Sequence, residues 1–406
     1  MINPSIDFPV MESPPKYTLR PYQQKAVDAA KNYLTDPKQV KPVLLVMPTG
    51  SGKSLILTEI AQRLDAPLII FQPTKEILEQ NLNKLNEYNT FGVTVYSASM
   101  NQKEIGDITL ATIGSVYRNP GAFKVFKYII IDECDNVNPK GGMYKTFLDV
   151  VGEKVIGLTA TPIRMNTDGF GGTMMKFITR TQPKVFSKVI HVTQTKELFD
   201  QGYLAKTEYF PIKGFTRSEI KLNSTGADYD EPSERQYYDK THFSEKIIKV
   251  VNRLLEIGKT RILIFTKFVE EARELSEKLG SVAAIVNCEM KSSERSAIIK
   301  GFKSGDIKVV LNVGILTVGF DYPELEVVLI ARPTRSLRLF YQMVGRCLRP
   351  HPSKEKAMVV DMCGNIEIFG KIEDMKLVED GGSNLWCIVS NGKKLTNVYL
   401  DSIMRD

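Results

Sequence analysis

The run Pro48-Thr49-Gly50-Ser51-Gly52-Lys53-Ser54 has the residue types and spacing to hold a triphosphate. Glycines at 50 and 52 let backbone N–H groups approach the phosphates, and a helix opening at Lys53 points its positive end at them. Lys53 would reach the β and γ phosphates, and the Ser54 hydroxyl would bind Mg²⁺. Met47 stands where the common form of this loop has glycine or alanine. Asp132-Glu133 directly follows an apolar run ending at Ile131. Asp132 would hold Mg²⁺ through water, while Glu133 positions and deprotonates an attacking water; the plainer reading is an acidic turn. A third segment, Gln342-Met343-Val344-Gly345-Arg346-Cys347-Leu348-Arg349, lies far downstream. It joins Gln342 and a close-packing Gly345 to two arginines three residues apart, which would share one helical face. Arg346 and Arg349 would stabilise charge on a transferring phosphoryl group, unless they form a basic surface stripe. Together these segments predict ATP held by one part of the chain and clamped by arginines from another.

Weaker candidates surround them. In Leu19-Arg20-Pro21-Tyr22-Gln23-Gln24, the Gln23 amide can read an adenine edge with Arg20 nearby, or the segment is an ordinary helix start. Thr159-Ala160-Thr161-Pro162 offers two hydroxyls that can sense the γ-phosphate and couple the two parts, or it is a capped turn. Near Gly314, Thr317 can reach a nucleic-acid phosphate, Gly319 permits backbone approach, and Asp321 can take a ribose hydroxyl.

The elements that must position these residues are legible as a pattern. Val43–Met47, Leu68–Phe71, Ile108–Ala111, Tyr128–Ile131 and Val155–Leu158 are apolar at nearly every position, as in parallel strands covered on both faces. Between them Lys53–Leu64 and Lys75–Tyr88 have helical spacing. A second series, at Ile262–Phe265, Val282–Val286, Lys308–Leu311, Val327–Ile330 and Met358–Val360, repeats the arrangement. The fold class is α/β, with two doubly wound parallel-sheet lobes in tandem. The expected divisions are an arm at 1–16, a first lobe at 17–185, a second at 186–365, and a small β extension at 366–406. In that extension Trp386 either stacks on a base or anchors the tail. Lys176, Arg180, Lys184 and Lys188 form either a strand-facing loop or a solvated surface.

Bulk properties exclude several classes. The 406 residues are 43% hydrophobic and 25% charged, with net charge +7, which permits a polyanionic partner without demanding one. Five scattered cysteines, without a CxxC pair, support neither a zinc ribbon nor a disulfide framework. No apolar run approaches membrane-spanning length, and the first residues lack a signal pattern. The expectation is a soluble cytoplasmic protein of a bacterial or phage-infected cell.

As an ordered set the segments resemble the motifs of superfamily 2 helicases and translocases over residues 17 to 365. The resemblance implies two RecA-like lobes, ATP and Mg²⁺ between them, and nucleic acid across both. Contacts to that strand would come from Pro73, Thr74, Lys75, Thr112, Gly114, Ser115, Thr266, Lys267 and Thr317, made to phosphates without reading bases. Within the superfamily, Leu19–Gln24, Gln201-Gly202-Tyr203-Leu204 and Leu311–Thr317 are similar to the RadD-like DNA-repair ATPases, with phage branch-migration helicases close by. RadD-like proteins continue into a cysteine-rich zinc tail; here that region holds only Cys363 and Cys387, which leaves a zinc module unsupported. DEAD-box RNA helicases end the acidic motif in Ala-Asp and begin the arginine motif with His-Arg; here these are Cys134-Asp135 and Tyr341-Gln342. The resemblance therefore implies DNA, single-stranded or branched, as partner, with recombination or single-strand-binding proteins as candidate protein partners. An ATP-switched DNA clamp that never unwinds, an RNA helicase, and a motor subunit of a restriction-type complex are the alternatives.

Overall fold

The computed structural model describes residues 17–64, 66–88, 92–152, 154–167, 172–316, 322–382 and 384–404. The expected arm at 1–16 lies outside them. The apolar runs form strands as their composition dictates. In the first lobe β1 (Val43–Val46), β2 (Leu68–Phe71), β5 (Ile108–Ala111), β6 (Tyr128–Asp132) and β7 (Lys154–Thr159) are buried at every position. They lie in one sheet of order β10-β1-β7-β6-β2-β5-β3-β4. Its far edge is β3 (Val93–Ser97) and the short antiparallel β4 (Gln102–Lys103). The helices that cover it include α1 (Pro21–Thr35), α2 (Lys53–Gln62) and α3 (Lys75–Glu87).

The other edge corrects an expected boundary. Lys188–Val192 forms β10, paired parallel with β1, so the first sheet continues past residue 185. An edge strand is only half-buried, and this one contains a lysine and a histidine; no continuous apolar run marks it. The crossing to the second lobe follows Val192. Between β7 and β10, β8 (Ile163–Thr167) and β9 (Thr173–Phe177) form an antiparallel hairpin. Met175, Phe177, Ile178 and Phe186 are buried there. The basic stretch is thus built on packed apolar residues.

The second lobe is a six-stranded parallel sheet of order β11-β16-β15-β12-β14-β13. Its strands are β11 (Thr207–Pro211), β12 (Ile262–Thr266), β13 (Ala283–Val286), β14 (Val309–Val313), β15 (Val327–Ile330) and β16 (Ala357–Asp361). Two of its helices face the first lobe: α4 (Ser292–Ser304), whose Arg295 pairs with Glu76 of α3 at 3.0 Å, and α5 (Leu337–Gly345). The sheets confirm the tandem α/β architecture. Among the described residues no helix is long and apolar enough to cross a membrane.

The C-terminal extension is a small antiparallel sheet of β17 (Lys376–Glu379), β18 (Trp386–Ser390) and β19 (Lys393–Lys394). It returns to the first lobe. Gln194 binds the Leu377 backbone on both sides, its Nε2 donating to the carbonyl at 2.8 Å and its Oε1 accepting the N–H at 3.1 Å. The Val189 N–H donates to Asn384 Oδ1 at 3.0 Å. The Phe177 N–H donates to Asn397 Oδ1, and Asn397 Nδ2 donates to the Trp386 carbonyl, both at 3.0 Å. One apolar cluster accordingly runs from the first lobe through Met375, Leu377, Ile388 and Leu400 to one face of the second sheet. The Trp386 indole donates to Asn384 at 2.8 Å and packs partly buried against that cluster, the anchoring alternative.

Asn397 thus bonds two backbone segments from a left-handed conformation (φ 62°) that alanine adopts poorly. Asn397→Ala is expected to loosen the tail by about 1–3 kcal/mol, read as faster hydrogen exchange at the Phe177 amide. Unchanged exchange would mean that the tail is held elsewhere.

Candidate nucleotide site and strand cleft

The phosphate loop joins β1 to α2. Gly50 and Gly52 have φ of 81° and 78°, the left-handed region that favours glycine. Helix α2 starts at Lys53 without a side-chain cap, leaving its first N–H groups for an anion. The loop is braced from below. The Tyr22 hydroxyl and Gln23 Nε2 both donate to the Ser51 carbonyl at 2.8 Å, and Gln23 Oε1 accepts the Arg20 N–H at 2.9 Å. Gln23 is 3% exposed, and a Cβ at Gly52 would sit 2.5 Å from its amide nitrogen. The sequence offers Gln23 either as a reader of the adenine edge or as part of an ordinary helix start; its amide is bonded at both ends because the first turn of α1 packs under the loop. Arg20 instead lies over the Tyr203 ring, 3.9 Å from its centroid. Leu204 also approaches the loop, its Cδ2 2.9 Å from where a Gly50 Cβ would be. In the sequence Gln201–Leu204 shows only as a family likeness; its place against the loop follows from the fold.

Across the site, the Lys53 ammonium donates to Glu133 Oε1 at 2.6 Å. Burial alone would lower the Lys53 pKa, but Glu133 and Asp132 hold it above its ordinary value. Glu133 sits at the end of β6 with φ 49°, a left-handed conformation uncommon outside glycine, of the strained kind that collects at functional sites. Burial would raise its pKa; the charge and hydrogen bond of Lys53, with Arg338 and Arg346 behind, keep it below the carboxylate range. Asp132 takes the Glu133 N–H at 3.0 Å, and burial pushes its carboxyl up to about 7. Burial, reinforced by the Glu133 charge, does the same to Asp135.

Among the described residues no group of three or more His, Cys, Asp and Glu could hold a metal ion. Ser54 and Asp132 fit an ion held mostly by phosphate oxygens and water, as Mg²⁺ is.

The Thr159 hydroxyl donates to Asp135 Oδ1 at 3.2 Å, and that of Thr161 to Oδ2 at 3.4 Å. Neither is free for a γ-phosphate. They bind the acidic turn instead, and Asp135 in turn ion-pairs with Arg338 of α5. Arg338 was missed in the sequence, lying four residues before Gln342 with nothing to mark it.

Helix α5 carries the second lobe onto the loop. A Cβ on Gly345 would meet Thr49 Cγ2 at 2.9 Å, and the Tyr341 hydroxyl bonds Thr195 Oγ1 at 2.9 Å. Gln342 is 8% exposed. Arg346 caps the helix, its Nε donating to the Gln342 carbonyl at 3.2 Å. The helix ends at Gly345, so Arg349 lies beyond it and does not share a helical face with Arg346. The buried Cys347 and Leu348 draw the chain inward between them.

Pro73 and Thr74 line an open cleft of about 490 Å³ with Ile113, Asn136, Gly142 and Arg338. Thr74 caps α3, accepting the Ile77 N–H at 3.3 Å, and Lys75 pairs with Glu79 on the surface. Thr112 and Ser115 bond each other at 2.9 Å, and a Cβ at Gly114 would meet open space. The second-lobe pair departs from expectation. Thr266 is wholly buried, and Lys267 is sealed against Glu234 at 2.7 Å with 8% and 0% side-chain exposure. Lys267 neutralises a core carboxylate and does not face a strand. Thr317, Gly319 and Asp321 lie outside the described residues.

Comparison with known proteins agrees with the two-lobed fold. Residues 16–164 match the family described as type III restriction enzyme, res subunit, and residues 245–351 match the helicase conserved C-terminal domain. The chain is 25% identical to the IRC3 protein of Saccharomyces cerevisiae over 365 residues, 85% of this chain and 51% of that one. It is 25% identical to the DNA 3'-5' helicase XPB of Mycobacterium tuberculosis over 353 residues, 82% of this chain and 58% of that one. The chain thus spans little more than half the length of either relative. In fold it resembles the ATP-dependent Type ISP restriction-modification enzyme LlaBIII bound to DNA, with TM-score 0.62 and 17% identity over 85% of this chain and 27% of that one.

Two outcomes follow from the packing. Gly345→Val should wedge α5 away from Thr49 and lower ATP turnover on the order of 10²-fold with the unfolding midpoint retained; near-normal turnover would show that the contact is incidental. Lys267→Ala leaves Glu234 buried and unpaired, expected to cost about 3–5 kcal/mol of stability. Single-stranded DNA affinity should stay within about twofold, a negligible free-energy change; a large affinity loss at unchanged stability would restore Lys267 to the strand.

Proposed function

We propose, from the matches of residues 16–164 and 245–351 to the restriction-enzyme res-subunit and helicase C-terminal families, that the chain is an ATP-driven DNA helicase or translocase of superfamily 2. Its substrates are proposed to be branched DNA intermediates of repair, recombination or stalled forks. The observation that carries the reading is the Lys53–Glu133 pair at 2.6 Å, with Arg338 and Arg346 of the second lobe acting on the same carboxylate. In the proposed cycle Lys53 moves from Glu133 to the phosphates, and Glu133, so released, takes a proton from the attacking water. Ser54 and Asp132 would hold Mg²⁺, which would screen the developing phosphate charge. Arg346, at the closing seam, would stabilise that charge, and Arg349 would support it from beyond the helix end. Gln342, buried on α5, would orient the water.

Supporting DNA over RNA are the glutamine-led arginine motif and the name of the tuberculosis relative. The RadD-like and branch-migration likenesses of Leu19–Gln24 and Gln201–Leu204 support branched substrates. Pro73, Thr74, Thr112, Gly114 and Ser115 would line the strand path along the first lobe.

The test is ATPase activity on single-stranded DNA, duplex, fork, four-way junction and RNA. DNA should stimulate turnover strongly, Lys53→Ala should abolish it, and Glu133→Gln should lower it about 10²–10⁴-fold. Stimulation by RNA alone would overturn the substrate assignment. Turnover on DNA without strand displacement from forks would make the protein an ATP-switched clamp or remodeller.

A further inference from the structure

Arg338 stands where two clefts and two lobes meet. It projects from the first turn of α5, whose start is fixed by Ser336 accepting the Leu339 N–H at 3.3 Å. Its guanidinium pairs with the Asp135 carboxylate, and its Nη2 donates to Asn136 Oδ1 at 2.9 Å. The Asp135 side chain is fully buried, while that of Arg338 is 30% exposed. Arg338 lines the 490 Å³ cleft with Pro73 and Thr74, and also a second cleft of about 290 Å³ with Arg164, Met165 and Ser336. One side chain therefore touches the acidic turn of the ATP site and borders the groove proposed for the strand.

We propose that Arg338 is the positioning residue through which an occupied strand groove sets the acidic turn for hydrolysis. A nucleic-acid phosphate entering the groove draws on the guanidinium, whose planar donors suit phosphate and carboxylate alike. That pull is passed to Asp135, whose Oδ1 is held by the Thr159 hydroxyl and whose Oδ2 Arg338 shares with the Thr161 hydroxyl. Glu133, two residues earlier in the same turn, is carried with it. The relay crosses the lobe boundary and needs α5 docked, so it operates only when the lobes are closed. It rests on the reading of the Pro73–Thr74 cleft as the strand path.

The experiment uses the full chain and oligo-dT. Two quantities are measured: the ratio of DNA-saturated to basal ATP turnover, and the oligo-dT concentration giving half stimulation. Arg338→Gln should lower the ratio at least tenfold while shifting the half-stimulating concentration much less. Arg338→Lys should recover part of the ratio, since it keeps the charge and loses the fork. Arg338→Gln combined with Asp135→Asn leaves no buried charge unpaired, and should lower the ratio as far as Arg338→Gln alone does. Wild-type stimulation in Arg338→Gln, recovery in the double variant, or additive losses would each overturn the relay. A native protein stimulated by no strand would overturn the proposed function along with it.

Discussion

Asp132, Glu133 and Asp135 are three carboxylates within four residues where β6 ends, the first and last buried and Glu133 mostly covered. Like charges so close, and so poorly hydrated, cannot all stay ionised unless cations come to them. Lys53 arrives from the phosphate loop of the same lobe and Arg338 from the other. The acidic turn is thus neutralised from two directions, and only one of them belongs to its own domain. Docking of the second lobe is, in part, the completion of this charge balance. A nucleotide that draws Lys53 away changes the balance at once, which makes the empty and filled sites electrostatically different for α5.

Packing keeps that exchange short-ranged. Gly345 lets α5 touch Thr49, Leu204 presses on Gly50, and Tyr22 and Gln23 hold Ser51 from beneath. The loop is contacted by the helix before it, the segment joining the lobes, and the second lobe itself. Each contact uses a residue too small or too committed to be exchanged freely.

Much of this was legible in the chain. The buried strands announced themselves because parallel sheets covered on both faces need continuous apolar runs, and the phosphate loop because few sequences satisfy its geometry. Gly345 was expected to pack closely, and its partner proved to be the loop. What escaped were features whose partners lie far off in sequence. Lys188–Val192 shows no continuous apolar run because an edge strand is only half-covered. Lys267 reads as a surface lysine until Glu234 is seen beside it, 33 positions away. Gln23 looked available because sequence does not reveal that both ends of an amide are taken. Arg338 carries no local signal at all; only the tertiary pairing with Asp135 distinguishes it from any helical arginine.

The returning tail has a mechanical consequence. The chain passes from the first lobe to the second just after Val192 and comes back at Leu377, and Gln194 ties those two passages together. Two bodies fastened at one corner cannot draw straight apart; like a gate on its post, one can only swing. Any opening between the lobes is then an angle, and the displacement at the Pro73–Thr74 cleft is that angle multiplied by the cleft's separation from Gln194.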